Sequence, residues 1–439
     1  MTVGGAKKIK VLGFDSWRVG AHHYERLVAA FAARGIGIEL VHLGSWGNDP
    51  GRSPEELVGG LKVRDIAYYR HGDLRRVLEE EAPDAVVFLS TMTFAHRALL
   101  RYCRQRGIPT LNLYHGLTST WFDVEARTGI QTNLLGHLRF VLKKLYKTFR
   151  YTIPCYLLAL WRTGASAEDW WRFLEDLFAM FTGRHIGVAS NDSRTNACAV
   201  YTEVEVDHAL FTYGFERSQI HVVGNPDLVR FGVTPGLVGC CLAVQRQPEP
   251  RVMYIDTGLA PAGLIFSGEA QFIEHLRATA AALTAQGRTM QLKLHPADNV
   301  QRIRDRLVGT GVVLVADDEF MPRLLECEAC IVETTSLAMV PALLGMPLFF
   351  AQFGDLRELT YGSGLTSYPL STLLRDIRQY TTQLVELKAA SNTQAISHWI
   401  RSNAGPLPAW DMPDRVAACV LSMMPATKST DGPVDQRRY

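Results

Sequence analysis

Short apolar runs alternate with amphipathic runs along the first 120 or so residues of the chain. Segments such as KIKVLGF, DAVVFLS and IPTLNLY are typical of strands that are buried on both faces. HHYERLVAAFAARG and FAHRALLRYCRQRG have the periodicity of amphipathic helices, and each ends at a glycine, Gly35 and Gly107. This alternation of strand and helix predicts a parallel sheet with helices on both faces.

The rhythm breaks between about residues 122 and 183, where a long helical, tryptophan-rich and basic segment is inserted. It resumes with HIGVASNDS and AVYTEVEVDHALFTYG. After the loop QRQPEPR it starts afresh with VMYID, EAQFIEHLRATAAALTAQG, TMQLKLHP, VVLVADD, ACIVE and MPLFFA. The restart predicts a second doubly wound unit.

The predicted fold is therefore α/β of the GT-B class, with two Rossmann-like domains that face each other across a cleft and a helical insertion in the first. We place the first domain at residues 1–219 and the second at 220–385. Helices at 386–424 are expected to return to the first domain. The polar segment 425–439 is expected to be a disordered tail.

Composition narrows the possible functions. Hydrophobic residues make up 47% of the chain, charged residues 21%, and the net charge is +2, so nothing indicates a nucleic-acid partner. The eight cysteines are scattered, and the CxxC at Cys327 and Cys330 has no second pair, which favours buried packing over a metal or redox site. No signal peptide and no spanning run of about 18 apolar residues is evident. We expect a cytoplasmic protein.

One segment, LLGHLRFVLKKLYKTFRYTIPCYLLALW at 134–161, interleaves apolar residues with lysine and arginine. That composition is typical of an in-plane helix at an anionic membrane surface. It fits equally a helix that packs on its own domain and exposes a basic face. Both interpretations stay open at this point, and the first predicts a peripheral protein at the inner face of the cytoplasmic membrane.

Ligands of open parallel sheets bind beyond the carboxyl ends of the strands, so the polar residues that follow predicted strands are the candidate site. Turn-forming residues are also common at these positions. In the second half these residues are Asp256, Thr257, Gly258, His295, Pro296, Asp317, Asp318, Glu319, Glu333, Thr334, Thr335 and Ser336. In the first half they are Ser90, Thr91, His115 and Gly116.

The run IVETTSLAMVPALLGMP carries hydroxyls where a strand ends and a helix begins. Hydroxyls beside free backbone N–H groups at the start of a helix can bind phosphate. Alternatively, Thr335 or Ser336 is only an N-cap residue, which stabilises the helix by about 1 kcal/mol. In LKLHPAD, His295 alternates with Lys293 along the strand, and Pro296 ends it. His295 is either a hydrogen-bonded loop histidine or a donor to a nucleotide phosphate.

KLHP after a strand, followed about 40 residues later by paired hydroxyls ahead of ALLGMP, resembles the second domain of bacterial GT-B transferases of surface polysaccharide. These include bacterial sialyltransferases, Kdo transferases and CDP-glycerol glycerophosphotransferases. The resemblance implies that His295, Pro296, Thr335 and Ser336, with Thr334 beside them, hold the phosphate of a cytidine nucleotide. HVVGNPD, at 221–227, also resembles the passage into their second domain.

LYHGLTSTWFD, at 113–123, resembles the His-Gly motif in the first domain of the glycerophosphotransferases. Gly116 and Thr118, with Asp123 after them, would then lie on the acceptor side. The proline and lysine of that motif have no counterpart here. MVPALL replaces the glutamate that usually follows the Ser/Thr pair, which points away from CDP-glycerol.

The predicted function is transfer of a sugar, such as the nonulosonates Kdo or sialic acid, from a nucleotide-activated, cytidine-type donor to a glycan or lipid-linked glycan. The first domain would bind the acceptor and the second the donor, with Asp256, Thr257, Gly258 and Glu333 near its phosphate. The nucleotide sugar is a substrate, and we expect no cofactor and no metal, since fixed hydrogen-bond donors can stabilise the leaving phosphate.

A base must take the acceptor proton, and His115 or Asp15, each after a predicted strand, could do so. The alternatives are a structural hydrogen bond for His115 and a turn cap for Asp15. Three other functions remain open: a CDP-glycerol-type polyol-phosphate transferase, an isomerase similar to UDP-GlcNAc 2-epimerases, and an inactive scaffold of glycan assembly.

Overall fold

The computed structural model describes residues 8–47, 53–116, 145–182, 191–243, 248–260, 265–295 and 300–425. Contact density divides the chain into two compact units. The first contains the described residues of Met1–Leu113, Cys155–Cys198 and Asp414–Tyr439, and the second those of Tyr114–Pro154 and Ala199–Pro413. The domain boundaries predicted from sequence stay predictions.

In the described ranges, the first sheet has eight strands. They are β1 (Ile9–Asp15), β2 (Ile36–His42), β3 (Glu55–Val58), β4 (Leu61–Asp65), β5 (Ala85–Phe88), β6 (Thr110–Leu113), β7 (Ala197–Val200) and β8 (Ile220–Val222). Their order is β3-β4-β2-β1-β5-β6-β7-β8. β1 pairs in parallel with β2 and β5, as the alternating pattern predicts.

An antiparallel hairpin at the edge of this sheet was not predicted. β3 and β4 pair antiparallel across the two-residue turn Gly59-Gly60, in which φ is +53° and +88°. Two residues with positive φ form the tight turn that suits the strand twist, and glycine adopts it without strain. The run EELVGGLKV carries this signal, a glycine pair between short alternating segments.

The second sheet, as far as the structure describes the chain, has six strands, all paired in parallel. They are β9 (Glu249–Ile255), β10 (Thr289–Lys293), β11 (Val313–Leu314), β12 (Cys327–Val332), β13 (Leu348–Ala351) and β14 (Ser371–Leu374). The order is β11-β10-β9-β12-β13-β14. The chain runs from β9 outward to β11 and returns to β12 on the other side of β9, so the strand order reverses between β9 and β12.

The strands of the second sheet are buried on both faces. Met253 and Ile255 of β9 belong to one apolar cluster, together with Val332 of β12. Val252 and Ile331 belong to the cluster on the opposite face. This double burial explains why the strands read as continuous apolar runs rather than as alternating ones.

Helices cover the sheets. They are α1 (Ala21–Glu25), α2 (Val28–Ala33), α3 (Leu74–Glu81), α4 (Phe94–Gln105), α5 (Ile153–Arg162), α6 (Ala167–Thr182), α7 (Val204–Tyr213), α8 (Asp227–Arg230), α9 (Pro235–Ala243), α10 (Glu269–Thr284), α11 (Val300–Leu307), α12 (Phe320–Glu326), α13 (Met339–Leu343), α14 (Ser363–Thr366), α15 (Tyr380–Ala389), α16 (Thr393–Asn403) and α17 (Met412–Met423). Within the ranges that the structure describes, no helix has the length and apolar character needed to cross a bilayer.

One predicted helix differs in the structure. HHYERLVAAFAARG forms two short helices, α1 and α2, with a turn in which Leu27 N–H bonds to Tyr24 O (3.0 Å). The Tyr24 ring lies so close to β1 that a Cβ on Gly13 would come within 2.6 Å of it. The Tyr24 hydroxyl lies 3.1 Å from Phe14 O and 3.2 Å from Val87 O, so this side chain holds α1 on β1 and β5.

Candidate functional site

A cavity of about 380 Å³ in the second unit lies at the carboxyl ends of β10, β9 and β12. These three strands are adjacent, and the reversal of strand order between β9 and β12 is where ligands of open parallel sheets bind. Eight of the wall residues follow or end those strands: Asp256, Thr257, Lys293, Leu294, His295, Thr334, Thr335 and Ser336. Six of them are among the site residues predicted from sequence.

Asp256 ties two of the strand-end loops together. Its carboxylate is buried, with Oδ2 accepting from His295 N–H (2.9 Å) and Oδ1 accepting from Gly258 N–H (3.0 Å). The backbone N–H of Asp256 donates to Lys293 O (3.0 Å). The position of His295 is thereby set by a side chain on the neighbouring strand.

Gly258 must be glycine in this arrangement. Its φ is +76°, and a Cβ at this position would come within 2.7 Å of His295 Nδ1. The left-handed backbone and the close approach both exclude a side chain. Gly258 thus belongs to the support of His295, although it does not line the cavity.

Glu333 braces the loops that follow β9 and β12. It is fully buried; Oε1 accepts from the Tyr254 hydroxyl (2.8 Å) and Oε2 from Thr257 N–H (3.0 Å). Thr257 Oγ1 in turn donates to Thr334 O (2.9 Å). Burial and the nearby charge of Asp256 raise the pKa of Glu333 well above its usual range. Glu333 therefore acts on the site by holding Thr257.

Thr335 caps a helical turn at the cavity. Its Oγ1 accepts from Leu337 N–H (3.3 Å), and the 3-10 turn Ser336–Ala338 continues into α13. The capping alternative is thus observed. A capping hydroxyl still carries its own proton, so Thr335 and the adjacent Ser336 can both donate to a ligand in the cavity.

Another part of the cavity wall comes from a passage that the site prediction left out. Asn225, Asp227 and Arg230 line the cavity at and around α8. Asn225 is buried, and its Oδ1 accepts from Asp227 N–H (3.0 Å), which fixes the turn before the helix. These residues lie in or next to HVVGNPD, which we interpreted from the sequence only as the segment that leads into the second domain and not as part of the site.

Gly116 also lines this cavity, and His115 before it is exposed. Asp15 lies in the first unit, at the end of β1, beside His42 in the register of β1 and β2. It is buried, and its Oδ1 accepts from Trp17 N–H (3.2 Å), so the turn-cap alternative for Asp15 is observed.

Three predicted site residues, Pro296, Thr118 and Asp123, lie outside the described residues. So does the part of the predicted insertion that precedes residue 145. Of the insertion, the structure describes α5, α6 and the π-helical turn Thr148–Thr152, all helical.

No protein-family model matches the sequence, and no curated protein matches it significantly. Solved structures do match. CalG4, the calicheamicin glycosyltransferase, is similar with a TM-score of 0.54 and 15% identity over 95% of this chain and 98% of that one.

Two further matches have lower scores. UDP-GlcNAc 2-epimerase of Methanocaldococcus jannaschii has a TM-score of 0.46 and 11% identity, covering 94% of this chain and 100% of that one. The wall teichoic acid polymerase TagF has a TM-score of 0.46 and 10% identity, covering 95% and 89%. The likeness to CalG4 concerns the fold, and it confirms the predicted α/β GT-B class.

Proposed function

We propose that the protein is a glycosyltransferase that binds a nucleotide-activated sugar, of cytidine type, in the cavity of the second unit. Its sugar would pass to a glycan or lipid-linked glycan acceptor. The observation that supports this most directly is the convergence of His295, Thr335 and Ser336, from two separate strand ends, on one cavity. The resemblance of KLHP and the paired hydroxyls to surface-polysaccharide transferases supports the cytidine donor.

The donor phosphate would lie against His295 and the start of the helical segment at Ser336. Imidazole and hydroxyl groups donate hydrogen bonds to phosphate oxygens, and the first N–H groups of a helix favour negative charge. His295 is held by Asp256, and the next loop by Glu333, so these donors are in place before the ligand binds. Such preorganised donors stabilise charge that develops in the transition state.

The transfer itself joins an acceptor hydroxyl oxygen to the anomeric carbon of the donor. The bond from that carbon to the phosphate oxygen breaks, and its electron pair stays on the phosphate. His115 would take the proton of the acceptor hydroxyl, because a neutral imidazole has a pKa near neutrality. The phosphate-binding groups would hold the departing nucleotide.

Nucleotide-induced stabilisation tests the proposal. CMP or CDP at about 100 times its Kd should raise the free energy of unfolding by about 2.7 kcal/mol, measured by thermal or urea unfolding. UDP and GDP at the same concentration should raise the free energy of unfolding less. His295→Ala should remove most of the effect, whereas His398→Ala, an exposed histidine of α16, should leave it intact.

Wild-type affinity for CMP and CDP in His295→Ala would refute the assigned phosphate site. A preference for UDP would keep a nucleotide-sugar enzyme but reject the cytidine donor, and would favour chemistry such as that of the epimerases. Stabilisation by none of the four nucleotides would reject the proposed donor site.

A further inference from the structure

A buried lysine lies on the cavity wall beside the predicted phosphate-binding residues. The Lys293 side chain is 7% exposed and lines the cavity. Its Nζ donates to Asp317 Oδ1 (2.6 Å) and to Leu294 O (3.1 Å). An ammonium group has three N–H donors, and burying one is costly unless each finds an acceptor. Among the described residues these two acceptors are the ones that Lys293 has, so a third acceptor can come from a ligand.

A second cation reaches the same carboxylate. Arg230, at the end of α8, also lines the cavity, and its guanidinium donates to the other oxygen of Asp317. The guanidinium carbon lies 5.2 Å from the Phe231 ring centroid. Asp317 thus bridges Lys293 and Arg230, and one negative charge faces two positive ones.

The ionisation of Asp317 fits this arrangement. Burial alone would raise its pKa, but the hydrogen bond and charge of Lys293 and the charge of Arg230 outweigh burial and lower the pKa. Of the two carboxylates on the cavity wall, Asp256 accepts two backbone N–H bonds and Asp227 begins α8. In the described part of the chain, Lys293 and Arg230 both form their ion pairs with Asp317 and not with either of these two carboxylates.

We propose that Lys293 and Arg230, bridged by Asp317, form a second anion-binding position in the cavity. This inference rests on the proposed function, in which His295, Thr335 and Ser336 hold one phosphate. The donor would then carry a second anionic group. This group would be either the second phosphate of a cytidine diphosphate or the carboxylate of a CMP-linked nonulosonate. Arginine suits both, because its planar fork pairs with carboxylate and phosphate oxygens alike.

Calorimetric titration with three probes tests the second position: CMP, CDP and CMP-N-acetylneuraminate, without acceptor. The wild type should bind either CDP or the CMP sugar at least about tenfold more tightly than CMP, since hydrogen bonds to charged groups have effects of that size. A gain with CDP identifies a phosphate at the second position. A gain with the CMP sugar identifies the carboxylate.

Two variants test whether Lys293 and Arg230 form the second anion-binding position. Lys293→Met and Arg230→Gln should bring this affinity ratio close to one, with the CMP affinity of each variant measured as its own reference. Arg304→Gln, an exposed arginine of α11, should keep the wild-type ratio. If Lys293→Met fails to fold, Arg230→Gln decides alone, because the Arg230 side chain is 50% exposed and its loss leaves no buried charge.

A wild-type ratio near one, or a wild-type ratio retained in both variants, would overturn the second position. If CMP binding still depends on His295 in that case, the proposed donor site stands and only this inference fails. If the wild type binds none of the three probes, both fail together.

Discussion

His115 and Asp15 were the two candidates for the base that activates the acceptor, and they have different surroundings. His115 is exposed, next to the cavity-lining Gly116. Asp15 is buried, and one of its oxygens accepts from Trp17 N–H. The His115 side chain is open to solvent beside the cavity, whereas the Asp15 carboxylate is buried in a turn of the first unit. This difference favours His115.

His115→Ala should therefore lower turnover by about 10² to 10⁴ and leave donor binding nearly intact, because it removes the base and not the phosphate site. His115→Gln keeps some hydrogen bonding without the base and should be nearly as slow. Turnover and nucleotide affinity are to be measured on the same samples. Unchanged turnover in His115→Ala, with loss in Asp15→Asn, would assign the base to the carboxylate.

At the scale of elements, the candidate site is built from the loops that follow three neighbouring strands. Asp256 joins the loops after β9 and β10, and Glu333 joins those after β9 and β12. Gly258 lets the first of these loops pass directly beside His295. The loops depend on one another, so a change in the loop after β9 should shift the position of His295, which follows β10.

Gly258→Ala tests this dependence, with Gly311→Ala as its matched control. Both glycines have φ of +76°, and no atom lies within 4 Å of a Cβ added at Gly311. Each variant should lower the free energy of unfolding by about 1–2 kcal/mol through the left-handed backbone, and Gly258→Ala should lower it further because its Cβ would meet His295. Only Gly258→Ala should also lose the stabilisation by CMP, measured as urea unfolding with and without nucleotide. Equal CMP responses in the two variants would contradict a supporting role for Gly258.

At the scale of the whole molecule, the surface near Lys147 combines positive charge with exposed aromatic rings. Tyr146 is 56% exposed and Phe149 42%. The Arg150 guanidinium carbon lies 5.6 Å from the Tyr146 ring centroid. Aromatic and basic side chains together are what an interfacial membrane contact uses.

Replacing Lys147 and Arg150 by glutamine should therefore weaken co-sedimentation of the protein with anionic liposomes, by about 1 kcal/mol for each charge. The control is a double variant of exposed arginines elsewhere, Arg304→Gln with Arg357→Gln, which should sediment like the wild type. Wild-type protein that stays in the supernatant at low salt would show that the basic face is ordinary protein surface.

The sequence by itself determined most strands of both sheets and the residues at their ends, but not β3, β4 and β14. Continuous apolar runs such as VMYID and ACIVE predict buried strands, because a strand that is covered on both faces has apolar side chains at successive positions. The polar residues that follow them, including His295 and Thr335, could therefore be placed at strand ends without knowledge of strand order. The hairpin at Gly59-Gly60 was missed although its signal was local.

Only the tertiary structure decided which strand ends meet. β9 lies between β10 and β12 because of how the crossovers pack, and this order brings Lys293, His295 and Thr335 to one cavity. The pairing of Arg230 with Asp317 spans 87 positions along the chain. Hydrophobic periodicity reports whether a residue is buried, but not which distant residue lies beside it, since that depends on the packing of all the elements together.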